Sequence, residues 1–368
     1  MPEDVIVATP LEQDAVATVL ADRYGLTAHA IARQPIGQVT INYRVTLTDG
    51  RQVFVKRYPD PIRLDPARLD DERGAIRLAT AALQAGIPGA PVLANRWGED
   101  LDTSSSLAVS VWDWMPGHVA AHLAPAQLAT AGRTLGRLHA VFSGLTAEPD
   151  LVIGGRPDAA HAWRHVDLPG LRATIDRLLT LIDQRERDGH ADAFDSRARH
   201  TLTERRAMLT RIPALMADLP EQLTSQLIHG DYAPVNLLWT GDTLTAVLDY
   251  APPVPFLLAY DLGRMAFYPH TVTHSVTGSP TWPDAAATFV AGYLSGHPAV
   301  PAADVRACGR IALLQLLTSL YGVKQHYLKP GLDQQALDEF WLLRHQAVRT
   351  LLDHLDATDT LLADLTGT

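Results

Sequence analysis

The segment HGDYAPVNLLW at residues 229–239, followed by AVLDY at 246–250, restricts the fold of this chain more than any other part of the sequence. Apolar residues flank its polar residues on both sides, which predicts a loop held rigidly between buried strand ends. The turn residues TGD at 240–242 predict that NLLW and LTAVLD form a β-hairpin. That hairpin brings Asn236, just before the first strand, and Asp249, at the end of the second, to the same end.

Asp231, Asn236 and Asp249 together have the side-chain chemistry of a phosphoryl-transfer site. The amide oxygen of Asn236 and the carboxylate of Asp249 are hard ligands, which suit Mg²⁺ completed by water and phosphate oxygens. Asp231 lies on the same loop, five residues before Asn236, and need not bind the metal. A carboxylate in that position can orient a hydroxyl and accept its proton while phosphorus is attacked. Each residue alone would also suit a turn, since Asp and Asn hydrogen-bond to nearby backbone.

Lys56 adds a cation to this set. It lies inside the apolar strand VFVKRY, where an ammonium group is unfavourable unless a carboxylate accompanies it. Glu72, sixteen residues later on a predicted helix, is the natural partner. A lysine held in this way can be directed at the α- and β-phosphates of a nucleotide. The alternation with Val53 and Val55 also allows a solvent-exposed lysine on an edge strand.

The order of the predicted elements indicates an α+β fold with two lobes. Within residues 1–116, a capped helix begins with TPLE at 9–12 and ends near Tyr24. Strands and one long helix follow it. Residues 117–368 are mostly helical, and the junction lies near residues 115–117. Outside the hairpin region, the second lobe has helical patterns at residues 170–215, 284–296, 303–327 and 335–355.

Length, charge and cysteine content exclude several classes of protein. A chain of 368 residues exceeds one typical domain, and a net charge of −10 argues against a nucleic-acid binder. The single cysteine, Cys308, cannot form a disulfide within the chain. The N-terminal sequence has no basic and apolar leader, and no apolar run approaches the length of a membrane span. We therefore expect a cytoplasmic protein that binds neither nucleic acid nor membrane.

The acidic residues are concentrated at one end of the chain. Residues 331–368 hold seven acids and two arginines, a net charge of −5. One interpretation is a helix face in contact with water, which is the usual place for a run of charges. The other is an acidic wall that attracts a cationic substrate.

Several motifs together resemble the aminoglycoside phosphotransferase and homoserine kinase group, the choline-kinase-like small-molecule kinases that share the protein-kinase fold. The resemblance rests on HGDYAPVNLLW, AVLDYAPPVPFLLAYDLGR, VFVKRY and the helix LGRLH, and it covers most of residues 30–270. It implies a bilobal fold with a small β-rich N-lobe and a larger, mostly helical C-lobe. It also implies that Asp231 is the catalytic base and that Asn236 and Asp249 hold Mg²⁺.

The same resemblance assigns residues to the nucleotide. Lys56 with Glu72 would position ATP, and Gly37 would belong to the nucleotide loop PIGQVTINYRV. That loop has one glycine where protein kinases have three. Asp113 and Met115, at the junction of the two lobes, would offer backbone groups to the adenine.

Two further residues would support the catalytic loop. By the resemblance, His229 and Asp261 brace this loop rather than react. The chain departs from protein kinases after Asp249, where YAPP stands in place of Phe-Gly.

The reaction implied by this resemblance is transfer of the γ-phosphoryl group of ATP, or alternatively of GTP, to a hydroxyl of a small molecule. The acidic C-terminal segment favours an amine-bearing antibiotic of the aminoglycoside type, and hence a role in antibiotic resistance. The sequence GDYAPVNLL is closer to homoserine-kinase-like members, so a small hydroxy amino acid or amino alcohol is the alternative. A non-catalytic, nucleotide-binding pseudokinase is disfavoured, because all five catalytic positions hold competent residues.

Overall fold

The computed structural model describes residues 9–34, 40–104, 107–145, 163–273, 281–329 and 334–367, which form two compact units. The sheet unit is the described part of Met1–Ala120 together with the segment Val235–Pro253. The helical unit is the described part of Ala121–Thr146, Gly155–Pro234 and Val254–Thr368. The predicted α+β class, with a β-sheet N-terminal region and a mostly helical C-terminal region, is confirmed.

The elements are numbered along the chain. The strands are β1 (Ala28–Gln34), β2 (Ile41–Leu47), β3 (Gln52–Tyr58), β4 (Val92–Leu93), β5 (Ala108–Asp113), β6 (His118–Val119), β7 (Ser225–Gln226), β8 (Leu237–Thr240), β9 (Thr243–Val247) and β10 (Phe256–Leu257). The helices are α1 (Pro10–Val19), α2 (Asp60–Arg63), α3 (Pro66–Gln84), α4 (Pro125–Leu145), α5 (Leu168–Arg187), α6 (Ala193–Met208), α7 (Ile212–Ala217), α8 (Leu258–Ala266), α9 (Pro269–Val272), α10 (Trp282–Gly296), α11 (Ala302–Thr318), α12 (Val323–Leu328), α13 (Gln334–Asp353) and α14 (Leu355–Leu365).

The first helix begins and ends as its sequence predicts. The Thr9 hydroxyl accepts a hydrogen bond from the Glu12 N–H at 3.3 Å, and the Glu12 carboxylate accepts one from the Thr9 N–H at 3.0 Å. This capping box satisfies N–H groups that have no partner within the helix. After α1 the chain continues as a π-helical turn, Leu20–Tyr24, and stops at Gly25 in the left-handed conformation, with φ of 70°.

The large sheet places Lys56 on the face away from α1. The sheet has the order β1-β2-β3-β5-β4, so β3 is a central strand and not the edge strand that the sequence left open. Val55 of β3 lies in a core cluster with Val19 of α1. Because successive side chains of a strand alternate, Lys56 points to the opposite face with Tyr58. There Tyr58 packs in a second cluster with Ile76 of α3.

The segment Val235–Pro253 packs within the sheet unit, although the predicted boundary near residue 116 assigned it to the second lobe. Backbone hydrogen bonds give the reason. Strands β6, β8 and β9 form a three-stranded sheet in the order β6-β8-β9. In addition, the Val247 N–H donates to the Pro88 carbonyl oxygen at 2.9 Å.

The helical pattern predicted over residues 303–327 is divided between two helices. α11 ends at Thr318 and α12 begins at Val323. Gly322, at the break, has φ of 95°, which L-residues with a side chain rarely adopt. A Cβ added there would lie 2.7 Å from the Leu337 carbonyl oxygen of α13. The backbone therefore turns between the two helices, at the point where a third helix approaches it closely.

The helical unit contains a close crossing of α4 and α10. Gly132 and Gly136 of α4 lie against α10, and Gly292 and Gly296 of α10 lie against α4. A Cβ added at Gly132 would lie only 2.0 Å from the Phe289 carbonyl oxygen. Glycine therefore allows the two backbones to touch. No helix among the described residues combines the length and the apolar composition that crossing a membrane requires.

We expect Gly132→Ala to destabilise the protein by about 1–3 kcal/mol, the usual cost of overpacking a core. The matched control is Gly144→Ala in the same helix, since nothing lies within 4 Å of a Cβ added at Gly144. This control should be neutral or more stable by up to about 1 kcal/mol, because alanine favours helix more than glycine does. Urea unfolding measures both changes. Equal effects of the two substitutions would contradict the close crossing.

Candidate active site

Lys56 of β3 holds two carboxylates of the sheet unit near its ammonium group. Its Nζ lies 3.0 Å from Oδ1 of Asp249 and 3.8 Å from Oε2 of Glu72. Glu72 lies on α3 and Asp249 follows β9, so three elements distant in sequence each supply one charge. The ion pair between Lys56 and Glu72 that the sequence predicts is present.

The two carboxylates keep Lys56 charged. Burial alone would lower the pKa of Lys56, because it disfavours an ammonium ion. The negative charge of Asp249, with that of Glu72, outweighs this effect and raises the pKa above its ordinary value. Lys56 is therefore a fixed positive charge with its side chain largely withdrawn from water.

Asp249 adopts an unusual backbone conformation. Among the described residues it is the only non-glycine residue with positive φ, at 60°. Aspartate tolerates this region better than most residues, but the conformation still costs of order 1 kcal/mol or more. Its side chain is 57% exposed, so the carboxylate is accessible. Strain at an accessible charged group is typical of functional sites.

The hairpin brings Asn236 to the same end as Asp249, as its topology predicts. Leu237 of β8 lies opposite Val247 of β9, and the Leu248 N–H donates to the Asn236 carbonyl oxygen at 2.9 Å. Asn236 is buried, whereas the carboxylate of Asp249 is exposed. An amide oxygen and a carboxylate at one end of a hairpin are the donor types that Mg²⁺ and Ca²⁺ prefer. The residues present therefore fit a divalent metal ion.

The two residues predicted to contact adenine differ in whether their backbone N–H groups are already hydrogen-bonded. The Asp113 N–H already donates to the Pro91 carbonyl oxygen at 2.9 Å, and the Trp114 N–H donates to Gln52 at 3.3 Å. Within the part of the chain that the structure describes, no partner is seen for the Met115 N–H. Met115 therefore remains the better predicted donor to a base. Gly37 lies outside the described residues.

In the helical unit, Asp261 of α8 anchors the loop that carries Asp231. The buried Asp261 carboxylate accepts hydrogen bonds from the N–H groups of His229 at 2.7 Å and Gly230 at 3.0 Å. His139 of α4, from the LGRLH motif, lies 3.3 Å away through its Nε2. Burial alone would raise the pKa of Asp261, but the hydrogen bond and charge of His139, with the Gly230 N–H, lower it below its usual range. Asp261 thus stays ionised inside the protein.

The loop itself is held at several further points. Gly230 has φ of 82°, which turns the chain sharply. The Asp231 N–H donates to His229 Nδ1 at 3.2 Å. The next residue, Tyr232, is fully buried and donates its hydroxyl to the Ala131 carbonyl oxygen of α4 at 2.9 Å. These contacts fix the backbone on both sides of Asp231.

Arg264 is a site residue that the sequence reasoning missed. Its Nη2 donates to Oδ1 of Asp231 in a close ion pair. Burial alone would lower the pKa of Arg264, but the charge of Asp231 raises it. Arg264 lies three residues after Asp261 on α8, so both side chains share one face of the helix. The sequence AYDLGR contained this signal, because a basic residue at that spacing from an anchoring acid reaches the same loop.

We expect Asp261→Asn to destabilise the protein by about 2–4 kcal/mol at pH 7, because a buried, hydrogen-bonded charge is lost. The folded-state pKa of Asp261 is below its unfolded value. The contribution of Asp261 to the free energy of unfolding is therefore fully present above pH ~4 and disappears as the pH falls through the folded-state pKa. The stability difference between wild type and Asp261→Asn should accordingly shrink at acid pH in urea unfolding.

The matched control is Asp242→Asn at the exposed tip of the hairpin, which should leave stability unchanged at both pH values. A stability difference for Asp261→Asn that stays constant from pH 7 to pH 3.5 would contradict the proposed linkage.

Comparison with known proteins agrees with the motif resemblance. The profile of the phosphotransferase enzyme family matches residues 33–303. A homoserine kinase from Afipia carboxidovorans is 27% identical over 179 residues, which cover 48% of this chain and 46% of that relative. The chain thus spans about half the length of this curated relative.

Solved structures share the fold over nearly the whole chain. A spectinomycin phosphotransferase has a TM-score of 0.57 at 13% identity, covering 96% of this chain and 97% of its own. An amicoumacin kinase has a TM-score of 0.59 at 14% identity, with coverage of 92% and 96%. An aminoglycoside phosphotransferase from Alicyclobacillus acidocaldarius has a TM-score of 0.54 at 18% identity, with coverage of 98% and 96%. Together with the family match over most of its length, these observations show that the chain belongs to the phosphotransferase enzyme family.

Proposed function

We propose that this protein transfers the γ-phosphoryl group of ATP to a hydroxyl of a small molecule. The observation that carries the proposal is the placement of Lys56 between Glu72 and Asp249 at the end of a hairpin that also holds Asn236. Asp231 lies five residues before Asn236 in the chain, on the loop of the helical unit. The family membership supports the same class of reaction.

The groups of the sheet unit would bind the nucleotide. Lys56 would contact the phosphates, and the Met115 N–H would donate to the base, which leaves ATP and GTP as alternatives. Asn236 and Asp249 would hold Mg²⁺, which neutralises phosphate charge when it is bound. The spectinomycin phosphotransferase was solved with ADP, and the amicoumacin kinase with AMP-PNP and Ca²⁺, which supports a nucleotide and a divalent ion.

Asp231 would act on the hydroxyl group of the acceptor. Its carboxylate orients the hydroxyl and takes its proton while the oxygen forms a bond to the γ-phosphorus. The bond between that phosphorus and the β–γ bridging oxygen breaks, and ADP leaves with the electron pair. Arg264 holds the Asp231 carboxylate in position, and Asp261 holds the loop through its backbone. Positioning and charge, rather than covalent chemistry, would supply most of the rate enhancement.

The acidic C-terminal segment gives less support to an amine-bearing antibiotic than its charge suggested. Two of its acids bind partners within the protein, Asp338 to His326 at 2.9 Å and Asp359 to Arg310 at 2.7 Å. These carboxylates are not available as they stand to attract a substrate. A small hydroxy amino acid is the second candidate, and the homoserine kinase relative favours it.

We expect Asp231→Asn to lower acceptor-dependent ATP turnover by at least about 10²-fold while the protein stays folded, because general-base catalysis contributes 10²–10⁴-fold. The assay measures ADP release with Mg²⁺ against hydroxy amino acids, amino alcohols, sugars and hydroxylated antibiotics. Asp242→Asn is the matched control and should retain wild-type turnover. Equal activity of wild type and Asp231→Asn would contradict the assignment of the base.

A further inference from the structure

Two buried arginines of the helical unit, and a third that is partly buried, each lie within electrostatic reach of the next. Arg205 of α6 is fully buried, and Arg344 of α13 is only 4% exposed. The charge of Arg344 acts on Arg205, and the charge of Arg264 acts on Arg344. Arg264 in turn forms the ion pair with Asp231. A row of guanidinium groups therefore extends inward from the predicted catalytic base.

The positive charge of this row exceeds the negative charge around it. Among the described residues, neither Arg205 nor Arg344 has a carboxylate within 4.0 Å. Glu204, the acid next to Arg205 in sequence, binds His345 at 2.7 Å. Burying a cation without a counter-charge is unfavourable, so such cations are normally paired. Asp231 forms an ion pair with Arg264, whereas no carboxylate of the described residues contacts Arg205 or Arg344.

Several donors in the row have no hydrogen-bond partner. In the part of the chain that the structure describes, they are Nε of Arg205, Arg264 and Arg344, Nη2 of Arg205 and the hydroxyl of Tyr268. The Arg264 and Arg344 guanidinium carbons lie 4.9 and 5.9 Å from the centre of the Tyr268 ring. The orphaned donors of Arg264, Arg344 and Tyr268 are therefore grouped around this ring, whereas the Arg205 guanidinium carbon lies 4.9 Å from the centre of the Trp341 ring. Buried donors of this kind are rare and call for an acceptor.

Tyr321 links this row to a cleft. Burial raises the pKa of Tyr321, while the charge of Arg344 lowers it and that of Asp231 raises it, so the phenol lies within electrostatic reach of both. Tyr321 is 37% exposed and lines a cleft of about 440 Å³ with Thr318 and Lys324. Lys324 and the carboxylate of Asp167 also line this cleft. Asp231 and Arg344 do not line it themselves, and Tyr321 is the lining residue on which the charges of both act.

We propose that the acceptor of the phosphoryl group carries an anionic group, a carboxylate or a phosphate monoester, and that Arg344 binds it. This inference rests on the proposed function for the identity of the reaction, but the anion site stands on the arginine row alone. A guanidinium group matches either oxyanion with two parallel N–H donors. An acceptor whose nearest charge is an amine would be repelled at this position. The inference therefore favours a hydroxy acid over the amine-bearing antibiotic.

The first test uses Arg344→Met, with Arg349→Met as the matched control on the exposed side of the same helix. In chloride buffer, Arg344→Met should unfold at the same temperature as wild type or higher, because an uncompensated buried charge is removed. Arg349→Met should leave the unfolding temperature and the acceptor preference unchanged. A clear fall in unfolding temperature for Arg344→Met would show a structural arginine and overturn the inference.

The second test compares acceptors that share a hydroxyl and differ in the anionic group. The pairs are homoserine with 3-aminopropan-1-ol, serine with ethanolamine, and glycerol 3-phosphate with glycerol. We expect wild type to prefer the anionic member by about 10-fold or more in kcat/KM, mainly through KM. Arg344→Met should abolish this preference, and Arg344→Lys should keep part of it. An equal loss for both members of each pair would place Arg344 in phosphoryl transfer itself and overturn the inference.

The third test does not depend on turnover. Lys56→Met removes the predicted phosphate contact of the nucleotide. Any effect of anions on the unfolding temperature of this variant therefore reflects binding at the arginine row. At constant ionic strength, acetate or inorganic phosphate in place of chloride should raise the unfolding temperature of Lys56→Met. The anion that gives the larger rise shows whether the site prefers a carboxylate or a phosphate. The double variant with Arg344→Met should show no rise. Absence of a rise in both proteins overturns the anion site, whereas a rise without any ATP turnover by wild type overturns only the proposed reaction.

Discussion

The buried carboxylate of Asp261 is the interaction on which the site of the helical unit depends. It accepts two backbone N–H groups of the loop and contacts His139, so it joins the loop to α8 and to α4. A charge in this position is stable only because every partner is a donor. Since Arg264 lies on the same helix face and binds Asp231, one helix sets both the backbone of the loop and the direction of its carboxylate.

In the sheet unit the buried charge is positive, and negative groups stabilise it. There a single cation, Lys56, is buried on the central strand and stabilised by two carboxylates. Asp249 stays in the left-handed region with its side chain exposed, so the strain of its backbone is kept at an accessible carboxylate. The chain as a whole has a net charge of −10, yet the row beyond Asp231 is locally cationic. Overall charge therefore says little about the charge that a substrate meets.

Much of this arrangement follows from local sequence rules. The capping box at Thr9, the hairpin register and the pairing of Lys56 with Glu72 could be predicted, because each depends on short-range spacing or on a strong penalty for a buried charge. The break at Gly322 could not, since it depends on a helix that approaches from elsewhere in the chain. The state of Arg344 could not either, because a helix pattern marks a charged residue without showing that its Nε has no hydrogen-bond partner among the described residues. The prediction of a lobe boundary near residue 116 also could not anticipate that Val247, after it, would bond to Pro88, before it.

Titration calorimetry of AMP-PNP with Mg²⁺, combined with acceptor-dependent turnover, tests the central claim that two sets of residues serve one reaction. Lys56→Met and Asp249→Asn should weaken nucleotide binding by at least about 10-fold, since each removes a charge-assisted contact. Asp231→Asn should bind the nucleotide as wild type does and fail only in transfer. If Asp231→Asn lost nucleotide binding, or if Lys56→Met kept it, the division of roles between the two sets would be contradicted.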